Sequence, residues 1–440
     1  QRRLAALPGE RHLGGAVRVD VPIEPGNGAL DIQAAGDIEF NAPVVNLRSG
    51  APIVADAGGD IVVNAQIDGL EGVAGGTVEF RADQAIRVNQ FIATRDGAIT
   101  LNSGAGTDIG ASGGLYAGSA PIQVTATGDL RLGGSLISRA GSVLDSLNGN
   151  LSLDAPIGAD HGPLSLHAAG TVTVNQPIVN LRSGATLTIA SGQDIDLRAQ
   201  IDGLGGSPGG RIDLNAGRDL VVHAALATES QPITAQAGGA VRVDPGAGFY
   251  TGSAPVTVTA GGDLVSGIVA SNGSIQLHAG GSLTANGAIA GAGGIDLDAA
   301  RSVVINQPID FGSGHLGIDA GDAITVNARL QGDQATLALN AGGGIALNEQ
   351  VAIDGGSLAL NAGSGVTWTS NGGLFAGNGT ISVTARGSYT VGTVATAGRV
   401  SLTSTQGSLT LGRALSGHAG AGLSAAGNVV LDAPIADFSP

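Results

Sequence analysis

The sequence predicts an all-β chain wound as a right-handed parallel β-helix, a β-solenoid of about 19 coils of about 21–22 residues. Three observations carry that reading. Short segments of alternating apolar and polar residues recur around Gly turns through all 440 residues. Gly numbers 76 against one Trp, three Tyr and seven Phe. No sustained i, i+3, i+4, i+7 apolar series points to a helix.

The coil is plainest from Gly28 to Val44 and from Gly162 to Ile178. Leu-Asp-Ile-Gln-Ala, a Gly turn and Ile-Glu-Phe-Asn in the first become Leu-Ser-Leu-His-Ala, a Gly turn and Val-Thr-Val-Asn in the second. The stretches Asn272 to Ile289 and Gly294 to Ile309 repeat the form. Counting turns from Gly36 to Gly427 gives about 19 copies, about 21.7 residues apart. A single coil cannot bury its inward row of Ile, Val and Leu, so it must stack on like neighbours about 4.8 Å away, with backbone hydrogen bonds running along the axis. Gly and Ala at the corners let the chain turn. The interior is then a narrow aliphatic column, which accounts for the scarcity of aromatics. Parallel crossovers are right-handed in nearly all cases, and 19 coils at this spacing predict a rod of about 90 Å.

Above the coil lies a longer repeat. Val45-Asn-Leu-Arg-Ser-Gly50 returns identically at Val179 to Gly184, and Ala65-Gln-Ile-Asp-Gly-Leu70 at Ala199 to Leu204. Tyr116 to Leu130 matches Tyr250 to Leu264 at the same offset of 134, and Phe375 to Tyr389 is a more divergent third copy. The expected organisation is a lead-in over 1–27 and super-repeats over 28–161, 162–291 and 292–440, joined as one rod.

Composition narrows the function classes. Cys, Met and Lys are all absent, which excludes disulfides, thiolate metal sites and lysine chemistry. The missing Met, initiator included, is what a processed or partial chain is expected to show. A net charge of −16 disfavours nucleic acid and anionic membranes as partners, and no run of 18 apolar residues offers a membrane-inserted segment.

The recurring polar residues read first as architecture. Asn41, Asn64, Asn89, Asn175, Asn286, Asn306, Asn327 and Asn348 follow the turn by about five residues, with Asp154 and Asp432 in their place elsewhere, and predict a ladder of side-chain amides. Asp37, Asp60, Asp129, Asp263 and Asp322 follow the turn Gly and read as turn chemistry. Gly104 to Asp108 resembles one calcium-binding nonapeptide but stands alone, so no metal is expected. The Arg of the repeated Asn-Leu-Arg-Ser-Gly, Arg48 and Arg182, reads as a solvated loop residue. The two G-x-S-x-G matches, around Ser112 and Ser207, lack a strand-to-helix setting, and the seven His show no metal spacing. Three sequons, at Asn150, Asn272 and Asn378, are about what chance supplies. No catalytic residue and no cofactor are expected.

The sharper candidates are aromatic. Each super-repeat has one longer Gly-rich excursion carrying an aromatic: Tyr116, the pair Phe249 and Tyr250, and Phe375. Six coils apart, they should recur about every 29 Å, either capping a bulged coil by packing on aliphatics or forming a row of stacking platforms for a partner chain or a glycan.

The Ala-Gly-Asp-Ile turns, Asn215-Ala-Gly-Arg-Asp-Leu220, the coil length, the Gly/Ala/Asn/Val bias and the lack of Cys together resemble the repeat region of bacterial filamentous haemagglutinin-like exoproteins secreted by the two-partner route. The resemblance implies an exported surface or matrix fibre engaged in adhesion, aggregation or biofilm structure, with host or sibling-cell receptors or glycans as partners. Lack of Cys suits export of an unfolded chain, and each emerging coil can template on the last. The function expected is therefore a non-enzymatic extracellular adhesive rod. The alternatives are a filament subunit stacking end to end, since both chain ends look repeat-like, and a carbohydrate-active β-helix enzyme, for which the acids are too dispersed.

Overall fold

The computed structural model describes residues 15–23, 28–45, 50–68, 76–158, 161–179, 184–202 and 210–436. Among these residues there is no helix, every strand pairing is parallel, and the strands stack as a β-solenoid of about 19 turns. The chain divides into two compact units, residues 1–192 and 193–440, each built on the same coil.

A coil has three strands. The first is the longest and carries the strictest alternation, as in Ile53–Ala57 and Val78–Ala82, where positions one, three and five are buried. The second has three residues with both ends buried, as in Ile61–Val63 and Leu220–Val222. The third, of two to four residues, closes the coil. Period-two alternation puts one row inside and the other in solvent. Each inward residue sits on its counterpart in the next coil: in the first unit Ala55, Phe80, Leu101, Val124 and Leu144 form one such row, and in the second Leu297, Ile318, Leu339, Leu360 and Val383 form another. Burying each Leu, Ile or Val of these rows stabilises by about 1.5–3 kcal/mol relative to exposure.

Register also settles how large side chains fit. Phe40, on a second strand, and Phe80, two coils on, stack with centroids 5.4 Å apart and planes 12° from parallel. The intervening coil presents the small Ala55 in register with Phe80, leaving the volume for both rings. Several inward polar side chains find carbonyls, although the buried Ser142 and Ser266 hydroxyls have no partner among the described residues. Ser138 Oγ donates to Ala120 O at 2.6 Å, Ser146 Oγ to Gly128 O at 2.8 Å, and Thr251 Oγ1 to Ala254 O at 2.6 Å, so corner carbonyls are satisfied from within.

Candidate functional site: outward ladders and third-strand aromatics

Asn is placed immediately after the second strand, where the chain must turn and a short amide can reach the next coil. In the first unit Asn41 Nδ2 donates to Asp20 Oδ1 at 2.9 Å, Asn64 to Asn41 at 2.9 Å and Asn89 to Asn64 at 2.8 Å, while Asn175 donates to Asp154 at 2.7 Å. In the second unit Asn306 donates to Asn286, Asn327 to Asn306 and Asn348 to Asn327, at 2.9, 2.9 and 2.7 Å. The inner amides Asn41, Asn64, Asn306 and Asn327 both donate and accept along their stacks, so these positions are occupied by the ladder's own bonding. At the same register His223 Nδ1 and Asp244 Oδ2 lie 2.8 Å apart.

The Asp after the turn Gly caps the following coil. Asp37 Oδ1 accepts the Asp60 N–H at 2.8 Å, Asp60 accepts from Ala85 at 2.9 Å, Asp129 from Asn150 at 2.8 Å and Asp263 from Ser282 at 2.8 Å. The Ala85 N–H, ahead of the Arg87 guanidinium and against the opposing effect of burial, holds the Asp60 carboxyl below the usual range. Arg218 does the same for Asp194, with the Asp219 N–H adding to it. Asp108 is bonded to Arg131 at 3.2 Å, which also holds Asp154 at 2.7 Å. Burial pushes Asp154 up, and the bonds from Asn175 and Arg131 outweigh it, leaving its pKa lowered. Arg48, Arg182 and Ser207 lie outside the described residues.

A second ladder escaped the sequence reading. At the penultimate position of first strands, Asn340 Nδ2 donates to Asp319 Oδ1 and Asn361 to Asn340, each at 2.8 Å. The signal was present in the paired Leu-Ala-Leu-Asn-Ala segments ending at Ala341 and Ala362.

The aromatics lie on third strands rather than in a bulge. The extra residues form turns before those strands, closed by Gly113 N to Gly110 O at 2.8 Å, Ala247 N to Asp244 O at 2.9 Å and Gly372 N to Thr369 O at 3.2 Å. Tyr116 is in register with Ala93, Tyr250 with Ala227 and Phe375 with Ala352, so each ring has a small neighbour in the preceding coil and is half-buried. Gly118 and Gly377 follow at φ +53° and +44°, and a Cβ on Gly118 would meet the Arg95 carbonyl at 1.8 Å, so the chain can leave this strand only through Gly there. Phe249 is a correction: it is 1% exposed, inward, and in register with the buried Leu226, because period-two alternation puts it opposite in facing to Tyr250. In the second unit Tyr250 and Phe375 stand six coils apart on the third face. In the first, Phe91 and Ile137, 40% and 42% exposed, flank Tyr116 in the coils before and after, making an apolar patch whose other two members the sequence reading did not single out.

Compared with family models, curated proteins and solved structures, the chain has no match.

Proposed function

We propose that the chain is a non-enzymatic, extracellular structural and adhesive element of a bacterial surface adhesin or matrix fibre. The observation that supports this most is the equivalence of Tyr116, Tyr250 and Phe375: the same third-strand register, the same small neighbour, the same partial exposure. The other repeated outward groups are spent on holding the coils together, whereas these rings are not, and half-exposed aromatics are efficient contact groups for sugars and protein partners. Phe249 drops out of that contact set, and Phe91 and Ile137 join it in the first unit. The repeat is consistent with a haemagglutinin-like exoprotein region, and two-partner secretion, a cell-surface location and receptors or glycans on host or sibling cells belong to the same proposal.

The test is attachment. Cells adhering to a surface coated with the protein should be lost when Tyr116, Tyr250 and Phe375 are together replaced by Ala, with the far-ultraviolet spectrum unchanged. Equal attachment by the folded triple variant would overturn the reading.

A further inference from the structure

In the second unit the amide ladder ends at Asn348. The next residues at its register are Thr369, whose hydroxyl donates to Asn348 O at 2.9 Å, then Gly392 and Gly412, which have no side chain to continue it. Over the same coils the second-face strand pairing is interrupted. Val366–Trp368 pairs with Ile345–Leu347, and Tyr389–Val391 with Leu409–Leu411, but among the described residues no pairing joins Val366–Trp368 to Tyr389–Val391. Trp368 stands in register with Leu347 and is partly exposed where Leu347 is fully buried. Its indole lies against Gly392, where an added Cβ would come within 2.7 Å of the ring, and its Nε1 is buried without an acceptor.

The result is a cleft of about 500 Å³ lined by Trp368, Ser370, Ser388, Thr390, Ser408 and Arg413, among others, in the range of about 300–1,000 Å³ typical of small-ligand sites. Arg413 reaches back two coils to donate to Ser370 O at 3.1 Å. The surrounding charge is unusual for this chain. Despite a net charge of −16, no Asp or Glu occurs from residue 355 to 431, while Arg386, Arg399 and Arg413 all do. Arg87, Arg131, Arg218 and Arg301 are each bonded to a carboxylate, but Arg413 has none among the described residues.

We propose that this cleft binds an acidic sugar, a pyranose bearing a carboxylate. Arg413 offers the planar donor set that a carboxylate matches. Ser388, Thr390 and Ser408 carry hydroxyls that both donate and accept, as sugar hydroxyls do, whereas a phosphate would be better served by several N–H donors. The exposed part of the Trp368 ring supplies an apolar wall for the C–H side of the sugar. The adhesive reading supplies the use of such a site, but the binding is measurable without it.

Trp368 is the only Trp, so fluorescence of the full chain excited at wavelengths beyond the tyrosine absorption band reports on the cleft alone. Titration with trigalacturonate should give a saturable change, maltotriose should bind at least about ten-fold more weakly, and Arg413→Gln should weaken trigalacturonate by about ten-fold or more, the size of one lost charge-assisted bond. Arg413 is exposed and outside the core, so the variant is expected to fold, which its circular dichroism verifies. No saturable change up to about 10 mM, well above a millimolar Kd, would overturn the proposal. So would equal binding of maltotriose, unchanged binding by the folded variant, or displacement of the sugar by equimolar inorganic phosphate. Attachment lost in the triple aromatic variant with trigalacturonate binding retained separates this site from the adhesive row.

Discussion

The coils before residue 355 and those from 355 to 431 solve the same corner in different chemistry. In the former, carboxylates such as Asp60, Asp129 and Asp263 accept the N–H of the next coil, and arginines such as Arg87 and Arg301 bond to those of Asp60 and Asp263. In the latter the acceptors are hydroxyls: Ser388 Oγ takes the Ser408 N–H at 2.8 Å and Ser408 Oγ the Asn428 N–H at 3.1 Å. The position before the second strand thus takes a carboxylate, a hydroxyl or, as at Ala85, Ala240 and Ala323, no acceptor side chain at all, so the fold is indifferent to charge there. Charge along the chain is free to be set by something other than folding, and the acid-free coils are where that freedom has been used.

The two sets of coils should differ most as pH falls. His161 is buried, accepts the Ser138 N–H on Nδ1 at 3.1 Å, and burial lowers its pKa from 6.5 to about 4. The unfolded chain protonates this ring near pH 6.5 and the folded chain does not until about 4. Stability is therefore full above that window, falls as pH drops through it by at most about 3 kcal/mol, and then levels off. Asp60, Asp154 and Asp194 have lowered pKa values, so the stability they contribute is present above the unfolded value of 3.8 and is lost as pH falls through their folded values. Amide exchange corrected for intrinsic rates should show protection falling first around 138–161 and then, below pH 4, around the Asp-capped corners, while coils 355–431 hold. Uniform loss across all coils would mean that the stack responds as one cooperative body rather than coil by coil.

Corner substitutions sharpen the same contrast. Asp60→Ala strands both the Ala85 N–H and Arg87 and should cost about 2 kcal/mol, whereas Ser408→Ala strands one N–H and should cost about 1 kcal/mol. Urea unfolding of the two variants gives the comparison. Asn327→Ala removes one amide from the middle of a four-member ladder that lies in solvent, and should cost about 1 kcal/mol by the same measurement.

Much of this was legible because the repeat is written in the sequence. The alternation in Leu-Asp-Ile-Gln-Ala and the Asn after many of the second strands determine facing and stacking together, and a one-residue error would turn every side chain over. That sensitivity separates Phe249 from its neighbour Tyr250: adjacent strand residues face opposite ways, so the two do not share exposure. The Trp368 cleft was illegible for a different reason. It depends on three adjacent coils at once, on a ladder that stops at Gly392 and Gly412 and on a strand pairing that fails beside them, and no single coil carries that information.

The smallest expected effect on stability carries the finest distinction. Ser388→Asp restores in an acid-free coil the residue that corners elsewhere use, and the new carboxylate can accept the Ser408 N–H as Asp60 accepts that of Ala85. Folding should be indifferent, with urea stability changed by less than about 0.5 kcal/mol, the usual range for a tolerated surface change. The same carboxylate would stand in the cleft beside Arg413 and compete for its guanidinium, so trigalacturonate binding should fall by about ten-fold or more while the protein stays intact. A stable variant that still binds would show that the absence of acids from these coils serves no ligand. A variant that unfolds would show instead that the hydroxyl corner is required by packing, and the indifference of the fold to corner charge would be lost with it.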